Sequence, residues 1–271
     1  MRPPRRDIAA PPFPADAEWV GAPAPRLDRL VARGPLLVHF FDLAQLNSVR
    51  ALPYVRAWSE RYSPAGLGVV GVHSARFPFT RAASAVAGAL PRLGIAWPVA
   101  VDSRHAIWRD YGCKGWPSLF LWGRGGALRW YHLGEGDYGE TELVIREELS
   151  EEGNGDWPEP LEPLRPSDAP GARVIPPSPE LLPGGSLEVP WTPGGEPIAA
   201  AYEAGGAFAA ADGTGELLPA LDGRELEAVE VSGPGLYELA SHPVSERHCL
   251  ELAASGSVSV YSLQFAPGVP G

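Results

Sequence analysis

From Pro35 to Ser150 short apolar runs alternate with amphipathic stretches, and this alternation restricts the fold more than any other feature of the chain. The runs "PLLVHFF", "GLGVVGVH", "WPVAVD", "PSLFLWG" and "ALRWYHLG" read as strands. Residues 45–62, about 80–93, 103–111 and 139–150 read as helices, and a short helix at 24–34 is closed by Gly34. Strands separated by helices predict parallel pairing with helices on both faces, while the tight turn "GRGG" at 123–126 predicts an antiparallel hairpin for the last two strands. The expectation is a three-layer α/β domain over residues 17–150.

The flanking regions differ in character. Residues 1–16 are Pro-rich and are expected to form a poorly ordered tail. Residues 151–185 carry frequent Pro and Gly, which exclude long helices and central strands, so an extended linker is expected there. From residue 186 to 271, runs such as "PIAAAYEA", "GAFAAAD", "LEAVEV", "GLYELASH", "HCLELAA" and "SVSVYSLQF" are separated by Gly, Asp or Pro. That pattern predicts a small antiparallel β-sandwich of jelly-roll-like form.

Composition narrows the function classes. With 271 residues, 45% hydrophobic and 20% charged, the chain can bury one large core or two smaller ones. A net charge of −11 offers no basic surface for a phosphate backbone or anionic lipid, so nucleic-acid binding and membrane insertion are not expected. Only Lys114 among the 22 basic residues is a lysine. The N-terminal residues lack the apolar run of a signal peptide, and no window approaches the ~20 apolar residues of a membrane span, so a cytoplasmic location is expected. Two cysteines, Cys113 and Cys249, cannot build a disulfide scaffold.

The stretch "VHFFDLAQLNSVRALPYVRAW" at 38–58 runs from a buried strand into a helix with Leu46, Val49, Leu52, Val55, Trp58 and Tyr62 on one face and Pro53 inside it. Together with "VVGVHSARFPF", "PVAVDSRHAIWRDYGCKGWPSLFLWGRGG" and "HLGEGDYGETE", it resembles the thioredoxin superfamily. Within that superfamily it is similar to the branch of DipZ- and TlpA-type thioredoxin domains and of the domain preceding NHL repeats. The β-rich C-terminal region is more loosely similar to the carbohydrate-binding-module-like domain of DipZ-type proteins.

The resemblance implies a reactive dithiol where this chain has Gln45 and Ser48. Disulfide exchange needs a thiolate stabilised at a helix N-terminus and a second thiol to resolve the mixed disulfide; an amide and an unactivated hydroxyl supply neither. The simpler reading of Gln45 and Ser48 is that they satisfy backbone donors near the first helical turn. Trp116 and Pro117 take the place of the family's cis-proline loop, which implies either a binding edge for an extended peptide or a purely structural turn into the hairpin.

Other candidates are weaker. Cys113 lies four residues before Pro117 and could act as a lone thiol or be a small buried hydrophobe. Asp42 could act as an acid or base or be a solvated strand-end carboxylate, and His73 could line the site or hold a structural hydrogen bond. No histidine pair has a metal-ligand spacing, so neither a zinc enzyme nor any cofactor is expected. Three functions remain: a binding or assembly module without dithiol chemistry, a thiol oxidoreductase or peroxidase using Cys113, and glycan binding through Trp191, Tyr202, Phe208, Tyr237 or Tyr261 if these are exposed.

Overall fold

The computed structural model describes residues 1–5, 7–150 and 157–271. They cluster into two units, Met1–Leu43 with Asn47–Arg76 and Arg81–Leu164, and Ala44–Leu46 with Phe77–Thr80 and Arg165–Gly271.

The first unit is built on six strands: β1 (Glu18–Val20), β2 (Leu36–Phe41), β3 (Gly68–His73), β4 (Val99–Val101), β5 (Ser118–Trp122) and β6 (Leu128–Leu133), in the order β1-β4-β3-β2-β5-β6. As the alternation predicts, β2–β3 and β3–β4 pair in parallel and β5–β6 form an antiparallel hairpin. Every residue of β2 is buried, as a central strand covered on both faces requires. The helices are α1 (Leu27–Arg33), α2 (Leu46–Tyr62, with Pro53 inside), α3 (Ala83–Ala89), α4 (Ala106–Asp110) and α5 (Tyr138–Ser150). Leu52, Val55, Trp58 and Tyr62 of α2 are buried, as their spacing predicts.

Of the expected tail, the described residues 1–5 and 7–16 are tied down. The Met1 ammonium donates to the Tyr131 carbonyl (2.6 Å), and Tyr131 N–H donates to the Met1 carbonyl at 3.0 Å. Leu128 N–H donates to the Ile8 carbonyl at 2.8 Å, and Ala10 N–H to the Gly126 carbonyl at 3.0 Å. The segment thus covers backbone groups on the outer edge of β6, which would otherwise be an open sheet edge. The prolines are compatible with this because the bonded donors belong to other residues.

Of the expected linker, residues 151–156 lie outside the described residues. Residues 157–164 run extended against the first unit: Leu161 N–H donates to Glu142 Oε2 (2.9 Å) and Leu164 N–H to the Tyr54 hydroxyl (2.7 Å). Farther on, Ile175 and Leu181 bridge to Gly268 and Leu263, so the later part is tied down within the second unit.

The second unit is an antiparallel all-β sandwich of β7 (Ile198–Asp212), β8 (Thr214–Leu221), β9 (Arg224–Glu225), β10 (Val229–Ser232), β11 (Gly235–Gly256) and β12 (Ser259–Ala266), ordered β10-β8-β11-β7-β12 with β9 on β8. Four of the short strands expected from sequence are halves of β7 and β11. In β7 the buried residues switch from Ile198, Tyr202 and Ala204 to Ala207, Ala209 and Ala211, a change of parity across Gly205–Gly206. In β11 the parity changes between Leu239 and Leu250, across register irregularities that include one between Ser241 and Glu246. Both halves of each strand therefore face one core, which also holds Leu217, Val260 and Leu263. Gly205 and Gly206 suit the switch, because a Cβ there would lie 2.7 Å from the Pro267 carbonyl oxygen and 2.9 Å from the Ala240 carbonyl oxygen.

Candidate functional site at the ends of the parallel strands

Three adjacent parallel strands end in polar residues. Asp42 follows β2, His73 closes β3 and Asp102 follows β4, and all three are buried. The C-terminal ends of parallel strands are where α/β sheets ordinarily place ligands.

Asp42 is not the solvated strand-end carboxylate considered above: it is 0% exposed, and its Oδ2 accepts the Arg76 N–H at 2.7 Å. The Ser48 hydroxyl, also buried, accepts the Asp42 N–H at 3.2 Å, so it satisfies a donor of the strand end from the first turn of α2. The His73 Nε2 accepts the Leu43 N–H at 3.3 Å, which places the neutral ring's proton on Nδ1, and Asp42 Oδ2 lies 3.9 Å away. Burial holds the His73 imidazole below its usual pKa, against the opposing pull of the Asp42 carboxylate.

Asp42, Ser48 and His73 therefore converge, and the Ser48 hydroxyl, His73 Nε2 and Asp42 Oδ2 each accept a backbone N–H. Trp116 joins the group through its indole N–H, which donates to the Ser74 carbonyl at 2.7 Å. Its ring packs at 4.4 Å from that of Trp108. The Trp116–Pro117 peptide bond is cis, and the Pro117 carbonyl accepts the Gly134 N–H at 2.7 Å.

Cys113 lies in the core next to α4, its N–H donating to the Trp108 carbonyl at 3.1 Å. It is buried in the apolar cluster of Val38, Phe40, Tyr111 and Phe120, and its thiol is pushed up to about 12 chiefly by burial, with the Ser118 hydroxyl opposing the shift. At neutral pH it is a thiol, not a thiolate. Gln45 is half-buried one residue before α2, and no cysteine lies between β2 and α2. Cys113 and Cys249 are both free.

Asp102 was not among the sequence candidates. Its carboxylate accepts the Ile107 N–H (3.2 Å) and Trp108 N–H (2.8 Å) of α4 and the Ser74 hydroxyl at 3.1 Å. It caps α4, whose N-cap residue His105 gives no side-chain hydrogen bond. An aspartate immediately ahead of the short helix predicted over 103–111 was the available signal.

No family model matches the chain. Protein DipZ of Mycobacterium tuberculosis is 32% identical over 170 residues, 62% of this chain and 24% of that protein. The sheet order with its antiparallel hairpin, the cis Trp116–Pro117 bond leading into β5, and this similarity agree on one architecture. The first unit has a thioredoxin-like fold. NHL repeat-containing protein 2 of Homo sapiens is 30% identical over 133 residues, 48% of this chain and 18% of that protein. Thiol-disulfide oxidoreductase YkuV of Bacillus subtilis is 23% identical over 141 residues, 52% of this chain and 94% of that protein. The chain spans about a quarter of DipZ, less of the NHL protein, and carries the thioredoxin-like unit plus the β-unit.

The aromatic candidates of the β-unit do not form an exposed platform. Tyr202 is buried and stacks on Phe265 at 4.8 Å, Trp191 and Tyr237 pack against the core, and Phe208 and Tyr261 are half-buried. Among the described residues, one side-chain cluster has metal-ligating chemistry: His242, Glu246 and His248 of β11. No described helix is long and apolar enough to cross a membrane.

Proposed function

We propose that the chain is a thioredoxin-like module that has lost dithiol chemistry and works by binding an extended polypeptide at the Trp116–Pro117 loop. The observation that carries this reading is the combination of Gln45 and Ser48 at the family's dithiol positions with a Cys113 thiol buried in the apolar core. Disulfide exchange requires an accessible thiolate and a resolving partner, and Gln45 and Ser48 supply neither at these positions. The second reading, a peroxidase or oxidoreductase using Cys113 alone, requires that buried thiol to ionise near neutral pH, against the direction of its shift. A cytoplasmic location belongs to the same proposal.

The loop suits strand addition, in which main-chain hydrogen bonds supply affinity and neighbouring side chains supply selectivity. Trp116 is half-buried and anchored by its indole N–H, which leaves a fixed aromatic surface beside the loop. The test uses reduced, carboxymethylated insulin B chain as an extended probe that cannot exchange disulfides. Calorimetric titration of the full chain is expected to give saturable binding, weakened at least tenfold in Trp116→Ala. Binding that is absent at millimolar probe, or equal in Trp116→Ala, contradicts the proposal.

A further inference from the structure

We propose that His242, Glu246 and His248 form a binding site for a divalent transition-metal ion of the Zn2+ class. One ligand atom from each of the three residues lies within 4.8 Å of the others. Two imidazoles and a carboxylate are a donor set that such ions favour, and three protein ligands leave a coordination position open.

Strand geometry brings the ligands together. Glu246 and His248 are two residues apart on β11, so their side chains share a face. The irregularity between Ser241 and Glu246 sets five residues of β11 against two of β7 and places the His242 ring over that of His248, with centroids 4.3 Å apart and planes at 27°. The metal-ligand spacings of helices and loops do not contain such a set; a period of two interrupted by a bulge does.

The surroundings are those of a supported site. The His248 Nδ1 lies 2.7 Å from Asp222 Oδ2, and Asp222 Oδ1 accepts the Cys249 N–H at 2.8 Å, so the carboxylate is itself anchored. A metal-binding histidine characteristically donates its other ring N–H to such a carboxylate, which fixes ring and tautomer. With the proton on Nδ1, the His248 Nε2 presents a lone pair to Glu246 Oε2 only 3.2 Å away. Two facing acceptors need a cation between them, either a proton or a metal ion. Tyr202, directly opposite His248 in the β7–β11 register, holds the His242 ring through a 2.8 Å hydrogen bond between its hydroxyl and Nε2. The cluster borders a surface concavity of about 450 Å³ lined by Ser178, Tyr202, Asp222 and His248, which gives an ion and a small fourth ligand access from solvent. The 3.2 Å between His248 Nε2 and Glu246 Oε2 already spans one ion, and half-exposed side chains can close the remaining separations of up to 4.8 Å.

The test is titration of the full-length chain with Zn2+ by calorimetry in a non-chelating buffer containing a phosphine reductant. The expected result is one Zn2+ per chain with a dissociation constant of micromolar or below, weakened at least 100-fold in the double variant His242→Ala/His248→Ala. Asp222→Asn, which touches no ion, is expected to weaken binding about 10- to 100-fold. Cys249→Ser should bind as the wild type does. Substitution with Co2+ should give the intense visible absorption of a four-coordinate ion in the wild type and not in the double variant. Circular dichroism reports that each variant is folded, and Glu246→Gln is a milder alternative should the double variant fail to fold. Absence of binding at 100 μM Zn2+, or an unchanged dissociation constant in the folded double variant or in Glu246→Gln, overturns the proposal.

Discussion

Replacing Asp102 by alanine is expected to destabilise the thioredoxin-like unit by about 3–5 kcal/mol, with Asp102→Asn costing about 1–2 kcal/mol. The carboxylate is 4% exposed and accepts three hydrogen bonds, two from the first backbone N–H groups of α4 and one from Ser74. Alanine leaves two helix-start donors without this acceptor in a buried setting, each of which costs about 1–3 kcal/mol. Asparagine keeps one carbonyl acceptor. Urea denaturation followed by tryptophan fluorescence measures the loss, and the ring pair Trp108–Trp116 adjoins the site of change. A loss below about 1 kcal/mol for the alanine variant would show that α4 does not depend on this cap.

The second large effect is an acid limb of stability set by His39. Its ring is fully buried on β2, stacked at 5.3 Å on Phe41, and neither nitrogen has a hydrogen-bond partner among the described residues. Burial lowers its pKa to about 3. The unfolded imidazole takes up its proton below about pH 6.5, the folded one only below about 3, so the unfolded state binds more protons throughout that window. Stability therefore falls as pH falls through it, and the His39 share amounts to about 2 kcal/mol at pH 5 and about 4–5 kcal/mol near pH 3. The variant His39→Leu, similar in volume and unable to ionise, is expected to lose this share while changing stability at pH 7.5 by about 1 kcal/mol or less. Equal pH slopes for the two proteins between pH 7 and 5 would contradict the assignment.

Much of the first unit was legible because its apolar runs have the lengths of buried strands and Pro and Gly mark their ends. The outermost strand β1 was not, since "EWV" is too short to carry a period and gains its place only by pairing with β4. In the β-unit, Gly205–Gly206 and Pro243 read as turns between short strands, whereas the chain uses the glycines and the region around Pro243 to switch faces within β7 and β11. Strand β8 was missed because Pro219 argues against a strand; it pairs there nonetheless, with the Leu226 N–H donating to the Pro219 carbonyl at 2.9 Å.

The candidate site shows the same division. Asp42, Ser48 and His73 meet at the strand ends and Trp116 bonds the neighbouring Ser74 carbonyl, because strand–loop–helix order fixes where each strand finishes. Burial decides what each can do, and sequence does not report burial at strand ends. Thus the carboxylate of Asp42 faces a backbone donor instead of water, and the Cys113 thiol is enclosed in the apolar core.

The most direct test of the central claim is reduction of insulin disulfides in dithiothreitol by the full chain and by Cys113→Ser and Cys249→Ser, paired with thiol counting on the native protein. The account predicts turnover no faster than dithiothreitol alone in all three proteins, with one thiol reacting in the native wild type, the exposed Cys249, and the second reacting only after unfolding. Chain-dependent turnover that disappears in Cys113→Ser would contradict it.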